Sequence, residues 1–160
     1  MTTATDTLAG IRDSLAVNLE ETRALLQRLG PDDLKRTAAN GWTVAQLAGH
    51  VAVAPSSALY VLKRLKDGRN ATVPKFLSWA PALRNWFIVR RYNSATVADM
   101  LKVAEASYGE LVAWVNNVSD VDLDRAGEVF GSGRQTLRSF LEYVLEHGRE
   151  HRAEIDAALK

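Results

Sequence analysis

Leu145-Glu146-His147-Gly148-Arg149-Glu150-His151-Arg152 carries two of the three histidines in this chain of 160 residues. They stand four positions apart, and residues at i and i+4 share one face of an α-helix, one turn above the other. The flanking sequence supplies that helix. Leu137, Phe140, Leu141, Val144, Ile155 and Leu159 recur at helical spacing from about Gln135 to Ala158, and His147 and His151 continue the same inner side. Two imidazoles so placed can reach one metal ion, and a third from a facing helix completes a three-nitrogen site. Gly148 costs roughly 0.5–1 kcal/mol in a helix interior relative to alanine. Its missing side chain leaves room beside the pair for a facing helix, a metal or a ligand.

The third histidine, His50, lies in the stretch with the best helix-start signal. Thr43-Val44-Ala45-Gln46 reads as a capping box, with threonine at the N-cap and glutamine three residues on. Trp42 and Leu47 stand where a hydrophobic staple would form. Val44, Leu47, Val51, Ala54, Ala58 and Leu65 make the apolar stripe, and His50 sits on or beside it. Pro55 is expected to kink or break this helix, and Asp67-Gly68-Arg69-Asn70 ends it. A first helix is expected over about Thr7 to Leu29, stopped by Gly30-Pro31. A third runs from near Ser94 or Thr96 to about Asn117, with Val97, Met100, Leu101, Ala104, Tyr108, Leu111 and Val115 as its stripe.

Between the second and third helices lies a long connection. Asn70 to Pro81 reads as irregular, and a shorter helix is expected from Ala82 to Arg91. Ser119 to Arg134 reads as loop, with Gly131-Ser132-Gly133 as ordinary turn chemistry; without a GxGxxG or a Walker lysine it is a poor phosphate cradle. No strand is expected anywhere. The architecture is therefore all-α: a four-helix bundle with a long crossover between helices two and three.

Composition bounds the rest. The length suits one domain, residues 1–160. The net charge of +1 gives no global case for nucleic-acid or membrane partners. There is no cysteine, which excludes disulfides, cysteine-ligated zinc and an internal thiol nucleophile. No signal-peptide pattern and no apolar run of membrane-spanning length are expected, so a cytoplasmic location is. Charge is uneven: Lys63 to Arg91 holds eight basic residues and one acid. Interleaved with Phe76, Trp79, Trp86, Phe87 and Tyr92, that zone has the composition of a single-strand nucleic-acid surface, but the expected reading is a long crossover whose aromatics plug one end of the core. Its Arg84, Arg90 and Arg91 are candidates for binding carboxylates of a small-molecule ligand.

A buried histidine is ordinarily just a hydrogen-bonded polar residue, but here all three fall on or near core-facing positions. Neutral imidazole is the commonest protein donor for zinc, nickel, copper and iron. Three protein ligands leave a position for water or substrate, as catalytic rather than structural sites do. Two metal readings stand. In one, His50, His147 and His151 bind one divalent ion, zinc or nickel being the expected species, and the open position takes water or an external thiol. In the other, His147-Gly148-Arg149-Glu150-His151 is an H-x-x-E-H inverted zincin with Glu150 as general base, although Glu150 lies about 100° round the helix from His151. Tyr143, one turn before His147, and Glu154, one turn after His151, are candidates to hold the ligating rings.

Two segments together resemble the DinB superfamily, which includes the YfiT-like metalloenzymes and the N-terminal domain of mycothiol-dependent maleylpyruvate isomerase. Trp42-Thr43-Val44-Ala45-Gln46-Leu47-Ala48-Gly49-His50-Val51 is similar to that family's W-[ST]-x-x-[EQ]-[LI]-x-x-H-[LV] segment, and His147-x-x-x-His151 with Ile155 matches its last helix. Arg152-Ala153-Glu154-Ile155 departs from the R-G-Q-I that many members carry there. The resemblance implies an up-up-down-down bundle, a metal held by His50, His147 and His151, and frequent homodimers. It further implies thiol-dependent transfer or isomerisation on an electrophilic small molecule, using mycothiol, bacillithiol or glutathione. The alternative expectation is a non-catalytic, stress-associated dimeric binding bundle that keeps a vestigial metal site.

Overall fold

The computed structural model describes residues 7–72 and 90–160. Among them are four long helices, α1 (Leu8–Arg28), α2 (Val44–Lys66), α3 (Val97–Val115) and α4 (Leu137–Ala158), and one short hairpin, β1 (Ala126–Val129) and β2 (Gly133–Thr136). Each long helix starts at a threonine whose hydroxyl accepts a first-turn amide: Thr7 from Gly10, Thr43 from Gln46, Thr96 from Asp99 and Thr136 from Ser139. These hydroxyls satisfy amides that have no partner inside the helix. The observed bounds lie within a few residues of those expected from periodicity. The expected Ala82–Arg91 helix falls almost wholly outside the described residues.

The helices form the expected four-helix bundle, but their directions differ from up-up-down-down. Arg28 pairs with Asp156, and Asn40 donates to Glu154, so α1 ends and α2 begins beside the end of α4. Gln46 donates to Asn93 at that same end, and Lys66 reaches the Asn117 carbonyl at the other, so α2 and α3 run parallel. The order is up-down-down-up. The segment between α1 and α2 stays at one end because it folds on itself: a 3-10 turn at Asp33–Lys35 is followed by a bridge between Thr37 and Thr43. α2 therefore ends at the opposite end of the bundle from the start of α3. α1 and α2 each pack on both α3 and α4 and barely touch one another.

The core is divided. One apolar cluster holds Ile11, Leu15, Leu62, Leu65, Leu111, Val115, Leu137, Leu141 and Leu145; the other holds Leu25, Leu26, Leu47, Ala52, Met100, Ala104 and Ile155. On α1, α3 and α4 the residues between these sets are polar: Asn18 and Thr22, Ser107, and His147, His151 and Arg152. By length and composition α2 is apolar enough to cross a membrane, contrary to the sequence expectation, and half of that stretch is buried in the bundle between α3 and α4.

Pro55 neither breaks nor ends α2, which is continuous from Val44 to Lys66. Proline removes one rung of the helical ladder and crowds the preceding turn. The amide of Ser56 donates to Ser107 Oγ on α3 at 2.8 Å, so a side chain across the interface takes up a displaced donor.

The hairpin corrects the expectation that no strand forms. β1 and β2 are antiparallel, with Ala126 opposite Thr136 and Val129 opposite Gly133. The turn relies on Gly131 and Gly133 in the left-handed region, with φ of 79° and 70°. Ala71 then adds to β1: its amide donates to the Glu128 carbonyl at 2.8 Å, and its carbonyl accepts from Phe130 at 3.1 Å. Gly127 is needed because a Cβ there would lie 2.5 Å from the Arg69 carbonyl oxygen. With four residues to a strand and two glycines in it or at its end, the hairpin has no alternating apolar pattern to announce it.

Candidate metal centre

α2 supplies His50 and the antiparallel α4 supplies His147 and His151. The Thr43–Gln46 box fixes where α2 begins, with both reciprocal hydrogen bonds made, at 3.2 and 2.9 Å. Gly49, beside His50, lets the Tyr92 ring lie flat on the α2 backbone; a Cβ there would sit 2.1 Å from Tyr92 Cγ. On α4, Phe140, Val144, His147 and His151 form one side.

The structure brings all three histidines together. His50 Nε2 and His147 Nε2 are 2.8 Å apart, and one ligand nitrogen from each of the three rings lies within 4.8 Å of the others. Ring centroids are 5.0 Å apart for His50–His147 and His50–His151, and 4.4 Å for His147–His151. All three rings are partly buried. Tetrahedral zinc with Zn–N of about 2.0–2.1 Å needs nitrogens roughly 3.3 Å apart. The His50–His147 contact must open by about half an ångström to reach that spacing, and the other pairs lie within 4.8 Å. The donor set fits a divalent ion, and no fourth His, Cys, Asp or Glu joins the cluster among the described residues.

The surroundings orient these rings. His151 Nδ1 lies 2.8 Å from Glu154 Oε2, leaving Nε2 to face the cluster. The same carboxylate oxygen accepts from Asn40 Nδ2 at 3.1 Å, tying the Asn40-Gly41 turn to the site. This is the carboxylate–histidine pairing that fixes tautomer and ring orientation at metal sites. Tyr143 instead meets His147 through its ring face, with centroids 5.5 Å apart and planes at 25°. Trp42 packs edge-on against His50 at 5.6 Å. Burial, and then the neighbouring His151, push the His147 pKa down to about 4, so its imidazole is neutral at pH 7 and able to ligate.

Other sequence candidates fall elsewhere. Glu150 is exposed, away from the cluster, which removes the basis for the inverted zincin. Arg84 lies outside the described residues. Arg90 and Arg91 are exposed, in the segment that Tyr92 ties to Gly49. Gly148 does not make room for the metal. It faces α1 and α3, where a Cβ would lie 3.3 Å from Asn18 Oδ1, 3.2 Å from Arg152 Nη1 and 3.7 Å from the Tyr108 hydroxyl.

Periodicity also missed Arg152, which is only 6% exposed although charged. Its guanidinium donates to Asn18 Oδ1 at 2.9 Å and Thr22 Oγ1 at 3.3 Å, and it pairs with Glu21. Asn18, Thr22 and Ser107 are buried as well. The available signal was Asn18 and Thr22 interrupting the leucine stripe of α1 at i, i+4 spacing.

No curated protein matches the chain. Among solved structures it is similar to YfiT from Bacillus subtilis, described as a probable metal-dependent hydrolase with an unusual four-helix bundle topology. The two share 21% identity over 92% of this chain and 85% of that one, with a TM-score of 0.69, a likeness of fold. The family model described as the DinB superfamily matches residues 14–155. The chain belongs to the DinB superfamily.

Proposed function

We propose that His50, His147 and His151 hold one divalent metal ion, zinc or nickel, and that the protein uses it to activate a nucleophile against an electrophilic small molecule. The observation that carries this reading is the convergence of three imidazole nitrogens from two helices with no fourth ligand among the described residues. Such a set leaves a coordination position open. An ion bound there supplies Lewis acidity and lowers the pKa of a water or thiol ligand toward neutrality.

The chain's own residues do the rest. Glu154 holds the Nδ1–H of His151 and keeps Nε2 directed at the ion. Trp42 and Tyr143 flank His50 and His147 and limit their ring motion. The chain has no cysteine, so a thiol nucleophile comes from outside, as in a mycothiol- or bacillithiol-type transferase or isomerase. Arg90 and Arg91 would receive carboxylates of that thiol or of the substrate. A second reading, metal-dependent hydrolysis, is favoured by the likeness to YfiT.

Protein purified without a nickel column and never exposed to chelator is expected to carry about one equivalent of metal. Metal-loaded enzyme is then assayed on electrophilic substrates with and without low-molecular-weight thiols. Turnover that needs thiol supports transfer, and turnover without it supports hydrolysis. Wild-type and His147→Ala protein behaving alike in both assays would overturn the enzymatic reading.

A further inference from the structure

We propose that Arg152 is a positioning residue for the metal centre, setting the rotation of α4 so that His147 and His151 both face His50; this rests on the metal-binding reading above. α4 lies between α1 and α2 and has two inner sides about 100° apart. One carries His147 and His151 toward α2; the other carries Leu141, Leu145, Gly148 and Arg152 toward α1. Below the site the second side is held by leucines, which fill space without fixing direction. Level with the site it changes character. Gly148 provides no side chain, and Arg152 occupies the room left by it, within reach of Asn18, Glu21 and Thr22 on α1.

Directional bonds matter here because of the tolerance required. An imidazole nitrogen lies about 6 Å from the helix axis, so a 10° rotation of α4 moves it by about 1 Å. Metal–ligand distances hold within roughly 0.2 Å. A guanidinium presents donors in a rigid planar fork; here Nη1 donates to Asn18 and Thr22, one turn apart on α1, and Nη2 pairs with Glu21 between them. Thr22 is further tied to the Tyr108 hydroxyl of α3 at 3.5 Å, which extends the anchor to a third helix. A buried charge contributes little to stability compared with an apolar residue of the same volume, and its best-attested use is to specify register. Arg152 immediately follows His151, so any rotation it prevents is one the ligand would otherwise undergo.

The test is Co(II) titration of metal-free wild-type, Arg152→Met, Arg152→Lys and Leu15→Ala proteins, reading both affinity and the visible absorption of the bound ion. Leu15 is buried in the first apolar cluster, is not a partner of Arg152 and serves as a stability control. Arg152→Met is expected to lose about 10–100-fold in Co(II) affinity, the range seen when partners behind metal ligands are removed, with a changed spectrum. Arg152→Lys should recover part of both, and Leu15→Ala should keep both near wild type. Wild-type affinity and spectrum in Arg152→Met, or the same changes in Leu15→Ala, would overturn the positioning role while leaving the metal site standing. Should Arg152→Met not fold, Asn18→Leu removes one acceptor of the fork and carries the same expectation against the same control. Wild-type protein that takes up no Co(II) would sink the metal reading itself.

Discussion

His50 Nε2 and His147 Nε2, 97 positions apart in the chain, lie 2.8 Å from one another across the α2–α4 interface. At that distance they are hydrogen-bonded, and whichever ring carries the Nε2 proton donates to the other. A metal ion held by the two rings would take the place of this proton. Removing either ring is therefore expected to abolish tight binding. His50→Ala and His147→Ala should each weaken zinc affinity by more than about 100-fold, beyond what loss of an outer partner costs. Competition against a chromophoric chelator measures it, and wild-type affinity in either variant would show that the triad is not the site.

Glu154 acts one bond further out. Its carboxylate oxygen accepts from both His151 and Asn40, so Glu154→Gln replaces a charged acceptor of the His151 Nδ1–H with a neutral amide. Zinc affinity should fall about 10–100-fold with the helical circular dichroism unchanged. An unaffected affinity would mean that His151 is oriented by packing alone.

The metal-free protein should be acid-sensitive through His147. Its pKa is held down to about 4 in the fold against an ordinary 6.5, by burial first and by His151 second. Between those values the unfolded chain binds more protons than the folded one, so stability falls as pH drops from 6.5 toward 4. Denaturant midpoints of chelator-treated protein at several pH values measure this. His147→Gln should flatten the slope, and an equally steep slope in that variant would assign the effect to another group.

Gly49→Ala should displace Tyr92, because its Cβ would meet the aromatic ring at 2.1 Å, closer than any real contact. Overpacking of this kind costs about 1–3 kcal/mol. The double variant Gly49→Ala/Tyr92→Ala should show strong coupling in a thermal-denaturation cycle. Additive effects would mean that the ring is not held against α2.

Ser107→Ala removes the acceptor for the Ser56 amide beyond Pro55. Leaving that donor unpaired should cost about 1–3 kcal/mol. Pro55→Ala, which restores the helical ladder, should make the Ser107 change nearly neutral. A Ser107→Ala penalty that persists in the Pro55→Ala background would place its cause elsewhere.

Much of this protein is written locally. Helix bounds follow from apolar spacing and from the threonine caps at 7, 43, 96 and 136, which act within one turn of chain. The i, i+4 pairing of His147 and His151 needs nothing beyond helical geometry. His50 is legible as a partner because it stands beside the apolar stripe of a helix that must face inward. Glu154 follows by the same arithmetic, one turn from its ring.

Relations between segments were decided only by the assembled chain. The up-down-down-up order depends on the Leu29–Thr43 connection folding back on itself, which spacing within α1 and α2 does not encode. The hairpin at 126–136 takes its stability from Ala71 and from backbone packed on Gly127, both distant in sequence. Gly148 looked like a gap beside the histidines and proved to be a gap beside Arg152, because α4 turns its two inner sides to different helices. Periodicity locates a face, but which neighbour the face meets is set by packing of the whole bundle. The chain alone thus determined the helices and the three imidazoles, and the tertiary structure decided which helices hold them in register.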